Sequence, residues 1–417
     1  MNIILKNTFS LMHPKDLSIN EFQYDLPEDK IAFFPLEERD TSKLLVYDRG
    51  EIKEDIYRNI ADHLLENSLL IFNDTRVIKA RIMFEKSTGS TIEIFCLEPY
   101  GRFSDYETVF HQQQSSAWKC FIGKAGKWKE KQLVKIFFIG EEEVTLSASL
   151  AEKLEDAYVV QFEWQPGHFS FAEIVDHAGV TPLPPYIRRK AVIGDEEKYQ
   201  TIYSAHEGSV AAPTAGLHFT KNIFASFSKK NIQKAFTTLH VGAGTFKPVK
   251  AEKMEGHHMH AEWMELSTDF LQTLLENAEK KMICVGTTSM RTVESIYHMG
   301  NKILNNPGID VETLKISQWE VYESQQFYSA KKSLKVLIQF LEKQKLSQLF
   351  IQTEIIIAPG YTFRLAKGLV TNFHQPKSTL LLLVAALAGK EWKEIYDYAL
   401  QHNFRLLSYG DGCLILP

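Results

Sequence analysis

The sequence predicts an α/β main domain with a mixed sheet and, inserted into it, an all-β, barrel-like domain. The chain has 417 residues, which is more than one ordinary compact domain needs. Between 82 and 166, short β-like runs follow one another and helical periodicity is weak. From Phe171 onward, helical stretches alternate with apolar strands, a pattern typical of α/β folds.

The elements are predicted in order along the chain. In the first part, helical spacing over 55–66 predicts a helix and the run 68–73 predicts a strand. The inserted domain, 82–166, has predicted strands at 91–96, 118–123, 133–139, 143–148 and 157–164. The main domain, 1–81 and 167–417, has predicted helices at 268–281 and 327–345 and predicted strands at 282–286 and 348–357. Sheets of this kind usually bind ligands at the loops that follow their strands.

Composition and charge limit the classes of function. With 44% hydrophobic and 24% charged residues, the chain has the composition of a soluble globular protein. Its net charge is −5, from 47 basic and 52 acidic residues. A protein that coats nucleic acid is usually basic. General nucleic-acid binding is therefore disfavoured, whereas a local basic groove for one structured RNA stays open.

The sequence also predicts a cytoplasmic location. Four cysteines are scattered without a C-x-x-C pair, which is typical of reduced thiols. The N-terminus lacks the basic flank and apolar core of a secretory signal. The apolar run 380–388 is too short to span a bilayer and predicts a buried helix. We therefore expect no membrane association.

Segments rich in small and hydroxyl residues stand where strands should end. The segment 73–77 follows a predicted strand, and its Asp74 and Arg76 have the chemistry to bind ribose and an anionic group. Four further segments, 208–219, 239–246, 285–291 and 371–380, repeat this pattern. The candidate ligand-binding residues in these five segments are Arg76, Ser209, Thr214, Gly216, Thr245, Thr287, Thr288, Ser289, Arg291, Asn372 and Lys377. Ordinary strand–helix connections explain each segment alone, but their repetition favours a polar-ligand site at the strand ends.

Other chemistries are weakly supported. His258 and His260 would share one face of a strand, which is compatible with a metal site, but no third ligand stands at a recognisable spacing. We therefore predict no metal and interpret these histidines as polar lining, with Glu262 as a partner. Motifs of dinucleotide-binding proteins, P-loop NTPases and serine hydrolases are missing from the sequence.

The ordered set of motifs resembles the S-adenosylmethionine:tRNA ribosyltransferase-isomerase family of the queuosine pathway. The central signature is Pro182-Leu-Pro-Pro-Tyr-Ile-Arg188, followed by 199–201 and 208–219. The other matching segments, in order, are 24–27, 35–36, 39–42, 73–76, 80–81, 239–246, 257–262, 286–294, 359–360, 372–380 and 408–411. The resemblance spans essentially 20–415.

The resemblance implies a reaction. Enzymes of this family transfer and isomerise the ribosyl part of S-adenosylmethionine onto 7-aminomethyl-7-deazaguanine at the tRNA wobble position. The product is epoxyqueuosine, and adenine and methionine are released. S-adenosylmethionine is then a co-substrate, and no cofactor is expected. The expected partner is a tRNA with a GUN-type anticodon carrying the deazaguanine precursor, and we expect a monomer.

Candidate roles follow from the resemblance and from side-chain chemistry. Imidazole titrates near neutral pH, so a histidine suits both removal of a proton beside the sulfonium and protonation of departing adenine. The catalytic candidates are His218, His240, His374 and Asp74, with Glu294 as a further carboxylate. Arg76 or Arg291 is expected to hold the methionine carboxylate. The expected phosphate contacts are Arg188, Arg189, Lys190, Lys247, Lys250 and Lys377.

Two alternatives stay open. The N-terminal stretch before Glu21 and the region 98–165 depart from the family pattern, so the chain could be a diverged paralogue acting on a small molecule or another RNA. It could also be a noncatalytic RNA-binding relative, although such a protein would be expected to lose the hydroxyl and histidine residues that this chain keeps.

Overall fold

The computed structural model describes residues 13–86, 88–101, 106–242, 249–324 and 326–417. Elements are numbered in chain order. In these ranges the helices are α1 (Tyr106–Phe110), α2 (Phe171–Ala178), α3 (Asp195–Lys198), α4 (Lys221–Phe227), α5 (Thr268–Glu276), α6 (Thr287–Asn305), α7 (Glu320–Glu323), α8 (Ala330–Gln344), α9 (Thr379–Ala388) and α10 (Trp392–Gln401). Outside the α-helices, short 3-10 helices connect several elements, as at Tyr57–His63.

The larger sheet has nine strands among the described residues. They are β1 (Lys43–Asp48), β2 (Glu51–Ile56), β3 (Leu69–Asn73), β13 (Gln233–His240), β14 (Glu262–Ser267), β15 (Met282–Val285), β16 (Gln348–Thr353), β17 (Ala366–Asn372) and β18 (Gly412–Leu416). Their order is β16-β14-β13-β3-β15-β17-β18-β1-β2. The central strands β13, β3, β15 and β17 run parallel, whereas β14 and β18 run antiparallel to their neighbours β13 and β17. The predicted mixed sheet is therefore present.

Strand β3 shows why the centre of this sheet is an unbroken apolar run. Leu69 and Ile71 face the core beneath the long helices α6 and α8, and Leu70 and Phe72 face a second core beneath α4. Successive side chains of a strand point to opposite faces, so a strand covered by helices on both sides is apolar throughout. The apolar run predicted as a buried helix forms α9, whose residues pack into the first core.

The second sheet is antiparallel and has seven strands in the part of the chain that the structure describes. They are β5 (Arg81–Glu85), β6 (Thr91–Pro99), β7 (Ser115–Gly123), β8 (Leu133–Ile139), β9 (Glu142–Lys153), β10 (Tyr158–Gln165) and β11 (Gly179–Val180). The sheet curls around an aromatic core that includes Trp118, Phe162 and Phe171. The curl brings β8 back towards β5, where Lys135 Nζ donates to the Met83 carbonyl at 3.3 Å. The predicted all-β region is present, and its exact limits as a domain stay a prediction.

A short parallel ribbon joins the two sheets: β4 (Thr75–Val77) pairs with β12 (His206–Ser209). Because β4 directly follows β3, this ribbon starts at the edge of the large sheet where the parallel strands end. The small-residue segment 208–219 continues from β12, so the ribbon delivers that segment to the same edge.

Several predicted elements differ in extent. The predicted helix over 55–66 is wrong at its start, because Asp55 and Ile56 complete β2 and only Tyr57–His63 is helical, as a 3-10 helix. Tyr57 and Ile60 are buried three residues apart, a spacing that fits a 3-10 helix as well as an α-helix. The predicted helix 268–281 ends at Glu276, and the predicted strand 348–357 ends at Thr353. No helix in the described ranges is long and apolar enough to cross a membrane.

Candidate active site

The four central parallel strands end at one edge of the large sheet. In sheet order, their last residues or the first residues after them are His240, Asn73, Gly286 and Asn372. Four of the five predicted polar segments therefore meet along this edge, and 208–219 joins them there through the ribbon. Ligands of open α/β sheets usually bind at such an edge.

A cavity of about 90 Å³ opens between these strand ends; we call it the strand-end cavity. Five of the predicted site residues line it: Thr214, Thr287, Thr288, Asn372 and His374. Ala211, Pro213 and Ala215 complete one wall, so the small residues of segment 208–219 do border open space. The lining is rich in hydroxyl and amide groups, which suits a polar ligand.

The glycines of segment 208–219 lie against neighbouring protein side chains. A methyl group on Gly216 would lie 1.9 Å from the Tyr203 hydroxyl, and one on Gly208 would lie 2.7 Å from the His240 ring. These two glycines therefore admit neighbouring protein side chains. The structure thus places Gly216 against the protein, outside the lining of the strand-end cavity.

Two helices begin at the strand-end cavity. Helix α6 starts after Gly286, which has φ +91° and provides no side-chain cap. Helix α9 starts after Ser378, whose hydroxyl accepts from the Leu381 N–H at 3.2 Å. Both Gly286 and Ser378 line the cavity. Free N–H groups and the helix dipole make a helix N-terminus favourable for negative charge.

Asn73 links the ends of two strands to the start of helix α6. Its amide nitrogen donates to the Leu239 carbonyl at 2.9 Å and lies 3.4 Å from Thr288 Oγ1, while its oxygen accepts from the Leu239 N–H at 3.0 Å. One buried side chain therefore ties β3 to β13 and to the first turn of α6. Thr288 is thereby held at the wall of the cavity.

Asn372, in the wall of the strand-end cavity, contacts His218, which lies outside the lining. Asn372 Nδ2 is 3.4 Å from His218 Nε2, and His218 Nδ1 is 3.2 Å from the Arg39 carbonyl. Because a carbonyl only accepts, Nδ1 carries the proton and Nε2 is an acceptor. Burial lowers the pKa of His218 to about 4, so the ring is neutral at pH 7. Asn372 Oδ1 is buried without a hydrogen-bond partner among the described residues, which leaves an acceptor for a ligand.

His374 lines the strand-end cavity directly. Its Nε2 lies 2.7 Å from Thr371 Oγ1, and its backbone N–H donates to the Tyr396 hydroxyl at 2.9 Å. Burial lowers the pKa of His374 to about 4. The imidazole is therefore neutral at pH 7, and it is the one predicted catalytic residue in the cavity lining described here.

Three hydroxyl-bearing residues of the strand-end cavity are not among the site residues predicted from the sequence. Tyr186, Tyr199 and Ser408 line the strand-end cavity, and the Tyr186 hydroxyl makes a short hydrogen bond to Ser408 Oγ. Burial raises the pKa of Tyr186 to about 12, so this hydroxyl keeps its proton. Tyr186 and Ser408 lie in the segments 182–188 and 408–411, and this motif membership was the signal that could have identified them.

Asp74 and His240 belong to a separate cluster beside the strand-end cavity. Asp74 accepts from Thr238 Oγ1 at 2.7 Å, and His240 Nε2 lies 3.1 Å from Glu265 Oε1. His206 stands between the two carboxylates, 3.9 Å from Asp74 and 4.0 Å from Glu265. Burial raises the pKa of Asp74, although Thr238 and His206 act in the opposite direction. The catalytic roles predicted for Asp74 and His240 stay predictions, and neither residue lines the cavity.

The remaining predicted residues have other surroundings. Ser209 Oγ donates to the Ala211 carbonyl at 2.7 Å, and Ser289 Oγ donates to the Val285 carbonyl at 2.8 Å. Arg76 is half-exposed beside Glu207, and Lys377 Nζ donates to Asn20 Oδ1 at 2.8 Å. Thr245 lies outside the described residues.

Glu294 is fully buried away from the cavity. Its carboxylate accepts from the backbone N–H groups of Arg364, Leu365 and Ala366 at 2.8–2.9 Å and from the Tyr361 hydroxyl at 2.7 Å. Burial raises the pKa of Glu294, and these four donors oppose that rise. This carboxylate therefore fixes the start of β17.

A second cavity, of about 240 Å³, adjoins the first; we call it the Arg291 cavity. Arg291 and Glu262 form a buried ion pair in its wall, and Leu380 lines both cavities. His258 and His260 also line it, but the prediction that they share a strand face is wrong, because β14 begins only at Glu262. Within the described ranges, no group of three or more His, Cys, Asp or Glu residues is placed to hold a metal.

The predicted phosphate contacts lie partly along a groove beside the curled sheet. Arg188, Arg189 and Lys190 line this groove together with Arg81 and Lys124. Arg188 is exposed and pairs with Glu28 at 3.1 Å, whereas Arg189 is tied to Asp195. Lys250 lines the Arg291 cavity, and Lys247 lies outside the described residues.

Comparisons with known proteins agree with these motifs. The family model described as queuosine biosynthesis protein matches residues 19–415. A curated S-adenosylmethionine:tRNA ribosyltransferase-isomerase from Halothermothrix orenii is 36% identical over 408 residues, covering 96% of this chain and all of that protein. Another, from Pelobacter propionicus, is 34% identical over 403 residues, covering 95% of this chain and 99% of that protein.

Among solved structures, a similar one is the crystal structure of S-adenosylmethionine tRNA ribosyltransferase from Thermotoga maritima. It is 26% identical, with a TM-score of 0.45, and the match covers 95% of this chain and all of that one. The match of the family model and the two full-length relatives confirm the predicted family. This chain belongs to the queuosine biosynthesis protein family.

Proposed function

We propose that this protein is an S-adenosylmethionine:tRNA ribosyltransferase-isomerase. It transfers and isomerises the ribosyl part of S-adenosylmethionine onto the aminomethyl group of 7-aminomethyl-7-deazaguanine in tRNA, and adenine and methionine leave. Two relatives that match it over almost their whole length have this activity in their names. Within the structure, the observation that carries the proposal is the strand-end cavity itself.

The strand-end cavity suits the nucleoside part of S-adenosylmethionine. Asn372 Oδ1 is a buried acceptor without a partner among the described residues, and a ribose hydroxyl or the adenine amino group would satisfy it. Thr214, Thr287 and Thr288 add hydroxyl groups that both donate and accept. A cavity of about 90 Å³ is smaller than an ordinary ligand pocket of ~300 Å³ or more, so we infer that the ligand also extends into the Arg291 cavity.

His374 is the side chain best placed to move a proton. The sulfonium of S-adenosylmethionine makes the neighbouring 5′ carbon acidic, and the neutral imidazole has a lone pair that can accept its proton. Burial lowers the pKa of His374 to about 4, which weakens the neutral ring as a base and makes the protonated ring a better proton donor to departing adenine. One histidine can therefore serve both proton transfers of the reaction.

The tRNA acceptor fits a basic groove next to these cavities. The wobble base lies in a single-stranded loop, and such bases can be turned out into a protein pocket. Arg188 and Lys190 line the groove beside the curled sheet, while Tyr186 of the same segment lines the strand-end cavity. Phosphate contacts in the groove would bring an anticodon loop, of GUN type, close to the cavity. We also propose that the activity is cytoplasmic.

One incubation tests the proposal. Wild-type protein is mixed with S-adenosylmethionine and tRNA that carries the deazaguanine precursor, and free adenine and the mass of the modified nucleoside are measured. Adenine release with a matching mass gain on the nucleoside is expected, and tRNA with guanine at the wobble position serves as the control acceptor. Lack of release under any condition would favour a noncatalytic relative. Release with the free deazaguanine base but not with tRNA would favour a paralogue with a small-molecule acceptor.

A further inference from the structure

We propose that the Arg291 cavity binds the α-amino acid end of S-adenosylmethionine, with Arg291 on the carboxylate and Glu262 on the ammonium group. The inference rests on the proposed function, because it locates one part of the proposed co-substrate. Both side chains line a cavity of about 240 Å³, large enough to hold a short amino acid chain.

Arg291 is fixed so that one nitrogen remains for a ligand. The side chain is nine-tenths buried. Nε donates to the Ile355 carbonyl at 3.2 Å and Nη1 pairs with Glu262. Nη2 is buried and has no hydrogen-bond partner among the residues that the structure describes. A buried donor without a partner costs ~1–3 kcal/mol, and a ligand carboxylate would supply the missing acceptor.

Glu262 decides which kind of ligand fits. Its carboxylate is also buried, directly beside the guanidinium. The two charges cancel, so the pair would not attract a phosphate or another dianion as a cluster of cations does. A zwitterion presents opposite charges two bonds apart and matches the pair in sign. The pair therefore matches an α-amino acid group, while Lys250 in the same lining adds a further positive charge for its carboxylate.

The walls of the Arg291 cavity fit the rest of the methionine chain. Met259, Ile356 and Leu383 contribute apolar surface for its methylene groups. Leu380 lines both this cavity and the strand-end cavity. A molecule with its amino acid end at Arg291 and its ribose near Asn372 would therefore place its sulfonium between the two cavities, at Leu380.

Calorimetric titration of three ligands tests the inference. S-adenosylmethionine carries the whole amino acid group, its decarboxylated form lacks the carboxylate, and 5′-methylthioadenosine lacks the entire chain end. Wild-type protein is expected to bind the decarboxylated form roughly 10- to 100-fold more weakly than S-adenosylmethionine. The double variant Glu262→Gln/Arg291→Gln removes both charges, so that no single buried charge is left unpaired. It is expected to lose this discrimination and to bind 5′-methylthioadenosine as the wild type does.

The exposed hairpin of β1 and β2 provides a matched control. Arg49→Gln/Glu51→Gln exchanges the same residue types far from both cavities and is expected to change none of the three affinities. If the wild type binds the decarboxylated form as tightly as S-adenosylmethionine, the inference is wrong. It is also wrong if the double variant weakens all three ligands equally, because the pair would then only support the fold.

The wild-type comparison can overturn the inference even if the double variant fails to fold. Adenine release alongside equal binding of the three ligands would leave the proposed function standing without this inference. A wild type that binds none of them would contradict both.

Discussion

Two groups of polar side chains in the motif segments of the main domain differ in their partners. In the backbone-bonded group, Ser209, Ser289 and Glu294 are satisfied by the protein's own backbone. In the cavity-lining group, which we define as Thr214, Thr287, Asn372 and His374, the side chains border open space. Membership of such a segment thus does not identify a ligand-binding residue. Variants of the first group should lose stability, and variants of the second should lose activity.

The largest effect is expected at Glu294. Exchange of Glu294 for Ala leaves three backbone N–H groups and the Tyr361 hydroxyl without an acceptor. The free energy of unfolding should fall by ~3 kcal/mol or more, measured by urea denaturation. Glu66→Ala, at an exposed position, is the control and should change it little. If the Glu294 variant keeps normal stability but releases no adenine, the carboxylate acts in catalysis and this prediction is wrong.

His374→Ala should act in the opposite way. Adenine release should fall ~100-fold or more, because the proton acceptor is removed, while stability changes by only ~1 kcal/mol for the lost bond to Thr371. His177→Ala, on the exposed face of α2, is the matched control. Unaffected turnover in His374→Ala would remove this residue from the mechanism and make His218 the next candidate.

His218 should make folding sensitive to pH. An unfolded histidine takes up a proton near pH 6.5, whereas burial lowers the pKa of folded His218 to about 4. The unfolded state therefore binds more protons between these values, and stability is lost as the pH falls from 6.5 towards 4. The contribution is at most ~1.4 kcal/mol per pH unit. His218→Gln should show a shallower loss in urea titrations at several pH values, and an unchanged slope would contradict the buried neutral ring.

Gly286→Ala should have a smaller effect, on both stability and KM. The added methyl group would strain a residue with φ +91° and would lie 3.4 Å from Thr288 Oγ1, at the cavity wall. Stability should fall by ~1–2 kcal/mol, and KM for S-adenosylmethionine should rise. Gly50→Ala has a similar φ of +95° with open space around it, so it should share the stability loss but keep KM. A KM that rises equally in both variants would mean that Gly286 has no special place at the cavity.

The sequence predicted the strands better than the partners of side chains. Strand β8 was predicted with its observed limits, because alternating side chains along a strand are visible locally. The family was confirmed through motifs that are also local. The helix predicted from 55 failed at its start, because pairing of β2 with β1 extends that strand to Ile56, and pairing between strands is not visible in one segment.

The hydrogen-bond partners of individual site residues depend on tertiary contacts. Arg291 is predicted to bind a ligand, and its pairing with Glu262, a residue 29 positions away in sequence, leaves Nη2 for that role. Ser289 is predicted to bind a ligand, and a turn of α6 gives its hydroxyl the Val285 carbonyl as a partner. Tyr186 and Ser408 are 222 positions apart and meet only through folding. Residue type and spacing predict the chemistry of a segment, whereas tertiary contacts decide which side chains stay free.

The most direct measurement is a crystal structure with S-adenosylhomocysteine bound. The nucleoside is expected in the strand-end cavity, within hydrogen-bond distance of Asn372 Oδ1, and the amino acid group is expected on Arg291 and Glu262. Density for the ligand at the cluster of Asp74, His206 and Glu265, or in the groove beside the curled sheet, would contradict the assignment of the strand-end cavity as the active site.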